Sequence, residues 1–253
     1  MLPFALAVII YIGATRIQDW LGQNRKYKRK FELINLNIKY FVLKKRGDAK
    51  MNEIFKQIPL YRFIMLCNET TLNKTVLDCG AGGDCPPLSL FSEHGYLTNG
   101  IEFNTTQLEK ANKYADKKSQ NLDIEQGDMR KLKFENESFS FVYSYNSVFH
   151  MTKEDLSKSI NEMKRVLKQE GLLFVNFLTT RDFRCGQGIA IGENQYEQMD
   201  DDIPVIHSYF EECEPDRYFE DMKILYKENR VLERIYEGKK IRQGFVDYIV
   251  KKI

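Results

Sequence analysis

From residue 75 onward the chain alternates short apolar runs with segments whose apolar residues recur every three or four positions. Short runs bounded by turn formers read as buried strands, and the longer recurrence reads as helix. The first run, Thr75 to Leu77, ends at Asp78 and breaks into Gly80-Ala81-Gly82-Gly83. Pro86 and Pro87 then open Leu88-Ser89-Leu90-Phe91, and proline is tolerated in a first helical turn, where its missing N–H would have had no partner. The pattern predicts strand, glycine turn, helix, with backbone free to approach a ligand where no Cβ intervenes. A second strand is expected over Tyr96 to Glu102, followed by a helix with Thr106 and Glu109 spaced as a capping box. A third covers Leu122 to Gln126 and runs into Gly127-Asp128-Met129; a fourth covers Phe139 to Tyr145. Leu156, Ile160, Met163 and Leu167 share one helical face behind a Thr152 cap. Gly171 is expected to stop that helix before a fifth strand, Leu172 to Leu178. Strands alternating with helices predict an α/β fold with a doubly wound parallel sheet.

Flanking regions break the rhythm. Residues 51–66 suggest a helical lead-in interrupted near Pro59, and 179–210 read as a long irregular insertion carrying Asp200-Asp201-Asp202, His207 and Tyr209. Loops of that length are usually functional or mobile. Three adjacent acidic residues do not converge on one ion without a special loop, so the run reads as a solvated turn and no metal site is expected. Residues 211–222 look helical, and Lys223 to Tyr236 and Ile241 to Val250 read as a closing hairpin.

Charge divides the chain. Residues 1–50 hold 11 Lys+Arg against 3 Asp+Glu, a net of +8, leaving 27 against 33, or −6, for the remainder. The acidic remainder offers no broad footprint for nucleic acid. Residues 1–14 are uncharged and precede a basic cluster, Arg25 to Lys30, which leaves three readings: a membrane anchor through residues 1–30, a packed helix, or a segment foreign to the natural protein. Five scattered cysteines without C-x-x-C spacing fit reduced thiols and a cytoplasmic setting.

Asp78-Cys79-Gly80-Ala81-Gly82 resembles the first motif of the class I S-adenosylmethionine (SAM)-dependent methyltransferases, with Asp84 where a third glycine is usual. The phrase EMKRVLKQEGLLFV and the closing hairpin belong to the same resemblance, which covers about residues 51–253. It implies a Rossmann-like, mostly parallel seven-stranded sheet with a terminal antiparallel hairpin, SAM as cofactor and a small-molecule methyl acceptor. It places residues 1–50 outside the methyltransferase domain and makes 179–210 its substrate cap. Glu102 lies twenty residues beyond Gly82, the position of the acidic residue that holds ribose hydroxyls in nucleotide-binding α/β folds. Beside Asp78, Gly80, Gly82 and Glu102, the resemblance assigns Phe103, Asp128, Met129 and Tyr145 to the cofactor. His150, just past the fourth strand, is the candidate to take the acceptor's proton. Two other classes use a similar pocket: a SAM- or nucleotide-binding regulator without turnover, and an NAD(P)-dependent oxidoreductase. The second would lack the hairpin, and its G-x-G-x-x-G would need glycine where Cys85 stands.

Overall fold

The computed structural model describes residues 58–200, 202–236 and 238–253; the N-terminal extension and most of the lead-in segment lie outside them. Seven strands make the central sheet in the order β3-β2-β1-β4-β5-β10-β9. These are β1 (Thr75–Cys79), β2 (Leu97–Glu102), β3 (Ile124–Gln126), β4 (Phe139–Ser144), β5 (Leu167–Thr179), β9 (Met222–Tyr236) and β10 (Lys239–Lys252). β1 to β5 run parallel, while β10 enters antiparallel beside β5 and pairs with β9 as a long hairpin. The expected mostly parallel sheet and terminal hairpin are present.

Side chains alternate across the sheet as a period of two requires. Leu173, Val175 and Phe177 of β5 enter one core with Leu156, Ile160 and Met163 of α4 (Lys153–Val166). Leu172 and Phe174 enter the other, with Phe63 of α1 (Ile58–Asn68) and Phe91 of α2 (Leu88–Glu93). Helices on both faces leave β4 wholly buried, which explains its nearly continuous apolar run. Among the described residues α1 runs Ile58–Asn68 and carries Pro59; the rest of the expected lead-in, residues 51–57, lies outside them.

Four local expectations change. The helix α3 (Thr105–Lys118) is capped by Asn104, whose side chain accepts from Gln107 N at 3.1 Å; Thr106 lies inside it. α4 ends at Val166 and passes directly into β5, with Leu167 paired to Phe139 and Leu172 to Phe141. Gly171 is therefore a site of close approach, where a Cβ would fall 2.8 Å from the Ser140 carbonyl oxygen. Residues 211–222 hold only a 3-10 turn, Glu214–Phe219, before β9 begins.

The largest change concerns residues 179–210. They form an antiparallel meander of β6 (Ile189–Gly192), β7 (Gln195–Asp200) and β8 (Ile203–Phe210), bringing the sheet to ten strands. β8 also lies parallel to the end of β5, pairing Leu178 with Tyr209 and Thr179 with Phe210. Tyr209 packs with Phe149, Leu178 and Phe245 in a third apolar cluster. The insertion is thus joined to the core by its last strand. Among the described residues no helix is long and apolar enough to cross a membrane.

Candidate active site

The glycine turn after β1 is held against the end of β2. Gly80 N and Ala81 N donate to the Ile101 carbonyl at 2.8 and 3.1 Å, and Gly83 N donates to the Gln107 carbonyl at 3.0 Å. Gly80 adopts φ +101°, and a Cβ there would fall 1.8 Å from Ser147 Oγ, so only glycine fits. A Cβ on Gly82 would come within 2.6 Å of Glu102 Oε2. The Glu102 carboxylate accepts from Gly82 N at 3.0 Å and from Asn104 N at 2.8 Å. One side chain thereby ties two loops together, and each oxygen keeps a lone pair for a ligand.

These loops floor a cleft of about 970 Å³ that continues into a lobe of about 460 Å³. Gly80, Glu102, Asn104, Ser147 and His150 line both parts. The smaller lobe adds Phe103, Asp128 and Met129; the larger is walled by the 179–210 insertion, with Phe183 and Arg184 ahead of β6 and Gln198 and Asp200 on β7. Volumes of this size accommodate a drug-sized ligand. Phe103 presents an open ring, being 68% exposed. Asp128 is bound by Arg130, whose Nε lies 2.9 Å from Oδ1 and whose Nη2 lies 2.7 Å from Oδ2. Those bonds hold the Asp128 carboxyl below its usual range, and Arg130 continues to Asp155 on α4 at 2.7 Å.

Two expected cofactor residues stand apart from the cleft wall. Asp78 is buried, its Oδ2 without a hydrogen-bond partner, and β1 pairs it with Tyr143, whose hydroxyl is also without one. Burial pushes the Asp78 carboxyl up to about 8, which favours its neutral form. Tyr145 packs on Phe174 with ring centroids 6.0 Å apart. Sequence reasoning missed Asn146 and Asn176. Asn146 takes a left-handed φ of +54°, tolerated by asparagine. Its N–H donates to Asn176 Oδ1 at 2.7 Å, and Asn176 Nδ2 donates back to its Oδ1 at 2.6 Å. Asn176 is fully buried in the otherwise apolar stretch of β5, and that lone polar residue was the available signal.

His150 closes the roof. Its ring lies 4.6 Å from the His207 ring, and His207 Nε2 is 3.2 Å from Asp200 Oδ2. Crowding by protein atoms pushes His150 below its ordinary value, with His207 adding to the push, while its edge open to cleft water softens the effect. Burial lowers His207 in the same direction. Asp200 belongs to the acidic run read as a solvated turn, yet it turns inward to His207 and to Arg184, whose Nη1 lies 2.6 Å from Oδ1.

Residues 77–175 match the family model described as a methyltransferase domain. The match runs from β1 to β5, across the glycine turn and Glu102. The methyltransferase fold is shared with a SAM-dependent methyltransferase from Methanosarcina mazei, at a TM-score of 0.58 and 24% identity over 75% of this chain and 97% of that one. An S-adenosylmethionine-dependent methyltransferase from Clostridium acetobutylicum aligns at a TM-score of 0.57 and 15% identity, over 84% and 98%. In sequence the chain is 34% identical over 104 residues to sterol 24-C-methyltransferase erg6 of Aspergillus fumigatus, covering 40% of this chain and 26% of that protein. It is 32% identical over 97 residues to the uncharacterized methyltransferase YcgJ of Bacillus subtilis, covering 38% and 37%. The methyltransferase match therefore spans about a quarter to two fifths of the length of these curated relatives.

SAM is the cofactor of the methyltransferases with which this fold is shared, and the cleft fits it. The Gly80 and Gly82 positions leave a cradle that a Cβ would fill, and Glu102 faces it as an acceptor. The open Phe103 ring and Met129 flank the adjoining lobe.

Proposed function

We propose that the protein transfers a methyl group from SAM to a small-molecule nucleophile. The observation that carries this reading is the Gly80–Gly83 cradle facing Glu102 in a cleft whose other wall is a separate meander. Glu102 would hold the ribose, Phe103, Asp128 and Met129 the adenine, and the glycine turn the methionine end. Asp78 and Tyr145 support from behind, Asp78 as a neutral group beneath the turn. When bound, the cofactor supplies an electrophilic methyl carbon on a sulfonium. The acceptor's bond to carbon forms as the carbon–sulfur bond breaks, and a hydroxyl, thiol or ammonium acceptor also loses a proton. His150 is the residue assigned to activating that nucleophile, since it lines both parts of the cleft and is favoured neutral. Walls that align acceptor and methyl and exclude water supply several kcal/mol of barrier reduction.

The acceptor side is lined by Arg184, Gln187, Gln198 and Asp200 as well as Phe183 and Met199. That mixture suits a polar acceptor better than a sterol, the acceptor for which the Aspergillus relative is named. Incubating the full chain with methyl-labelled SAM and fractionated pools of polar metabolites tests the proposal. Label entering a small molecule, with S-adenosylhomocysteine released in equal amount, is the expected result. SAM binding without transfer to any pool favours the regulator reading.

A further inference from the structure

We propose that His150, His207 and Asp200 form a site for a divalent first-row transition ion that holds the acceptor's nucleophilic atom. This rests on reading the meander side of the cleft as the acceptor side, and it makes His150 activate the nucleophile as a ligand of the ion rather than as the base that takes its proton. One potential ligand atom from each residue lies within 4.8 Å of the other two. The residues come from three segments: the loop after β4, the end of β7, and β8. Their convergence is fixed by Ser208, whose N donates to the Phe149 carbonyl at 2.9 Å and whose Oγ donates to the Met151 carbonyl at 2.6 Å.

Two of the three ligands are already oriented by a second contact, as in metal centres whose outer partners fix the ring and tautomer. His207 Nδ1 lies 3.3 Å from the Val205 carbonyl, leaving Nε2 toward Asp200. Arg184 takes Asp200 Oδ1, leaving Oδ2 toward His207. Two histidines and one carboxylate with open positions are the donor set of catalytic zinc and of non-haem iron sites. Metal–ligand bonds of about 2.0–2.2 Å put ligands roughly 3.3 Å apart in a tetrahedral shell, so a closure of about 1.5 Å completes the set. His150 borders the open cleft, which leaves its ring room to move toward the other two.

The three residues together line a pocket of about 220 Å³, and His150 and Asp200 also line the larger part of the cleft, from which an acceptor would reach the ion. A hydroxyl or thiol bound there is acidified by the ion, loses its proton to solvent, and attacks as the metal-held anion. The oxidation state does not change, and the ion serves as a Lewis acid.

The test uses the full chain without a histidine tag, stripped with chelator and titrated with Co²⁺ as the probe. One equivalent should bind with the visible d–d bands of a low-coordinate nitrogen/oxygen site, and Zn²⁺ should displace it. His207→Ala and Asp200→Asn should each weaken binding at least tenfold; Asp200 is partly exposed, so its variant keeps the proposal testable if the buried His207 variant misfolds. No stoichiometric Co²⁺ binding by the wild type, or binding unchanged in a folded Asp200→Asn protein, overturns the site. SAM affinity is measured in parallel: intact SAM binding without Co²⁺ binding overturns the metal site alone, and lost SAM binding overturns the methyltransferase reading beneath it.

Discussion

Replacing Glu102 by alanine removes two things at once, and the structure separates them. The first is the tie between loops, the bonds from Gly82 N and Asn104 N at 3.0 and 2.8 Å. Bonds to a charged acceptor are worth about 1.5–3 kcal/mol each, but the carboxylate is half-buried and the freed N–H groups reach cleft water. The net cost to folding should therefore be about 1–2 kcal/mol, or roughly 2–8 °C in Tm for a domain of this size. The second is the ligand contact. A charged hydrogen bond to ribose lost from the complex costs about 1.5–3 kcal/mol, roughly ten- to a hundredfold in SAM affinity. Thermal unfolding reads the first effect and calorimetry the second. Glu102→Gln keeps one acceptor oxygen, so it should fall between wild type and alanine in both. Unchanged SAM affinity in folded Glu102→Ala protein would refute the assignment of Glu102 to the cofactor.

Asp78 has a folded-state value raised from 3.8 to about 8, so its contribution to stability is full below pH 4 and lost as pH rises toward 8. Asp78→Asn should flatten that fall; urea midpoints at pH 5 and pH 8 that separate equally in both proteins would contradict the burial argument. Asn176→Ala breaks both bonds to Asn146 and leaves that N–H without its partner, which should cost about 1–3 kcal/mol and weaken SAM binding through the displaced loop. Denaturant unfolding and calorimetry check it together. A chain beginning at Met51 should fold and bind SAM, because every assigned cofactor contact lies at Gly80 or later in the sequence; an insoluble product would place residues 1–50 in the domain.

Local pattern carried the strands of the parallel half and the hairpin, because each element there buries its own apolar residues beside its neighbours. The spacing from Gly82 to Glu102 is set by one turn, one helix and one strand, so it too is visible in sequence. Asp78 illustrates a signal present but outweighed by the motif. Along β1 it shares a face with Val76, opposite Leu77 and Cys79, and Val76 and Tyr143 enter the core that α1 and α2 cover. Parity already turned Asp78 into that core. The roof of the cleft was not legible, since it depends on β8 pairing with the end of β5 thirty residues earlier. Asp200 meets His150 only through that pairing, and no local pattern joins residues fifty apart. Gly171 looked like a helix stop because part of its constraint, the Ser140 carbonyl, belongs to another strand.

The most direct test of the central claim is a crystal structure of the full chain soaked with S-adenosylhomocysteine. The account predicts ribose hydroxyls on Glu102, adenine between Phe103 and Met129 near Asp128, and the amino-acid end along Gly80 to Gly82. A nucleoside bound elsewhere, or a cleft that stays closed to it at saturating concentration, would contradict the account.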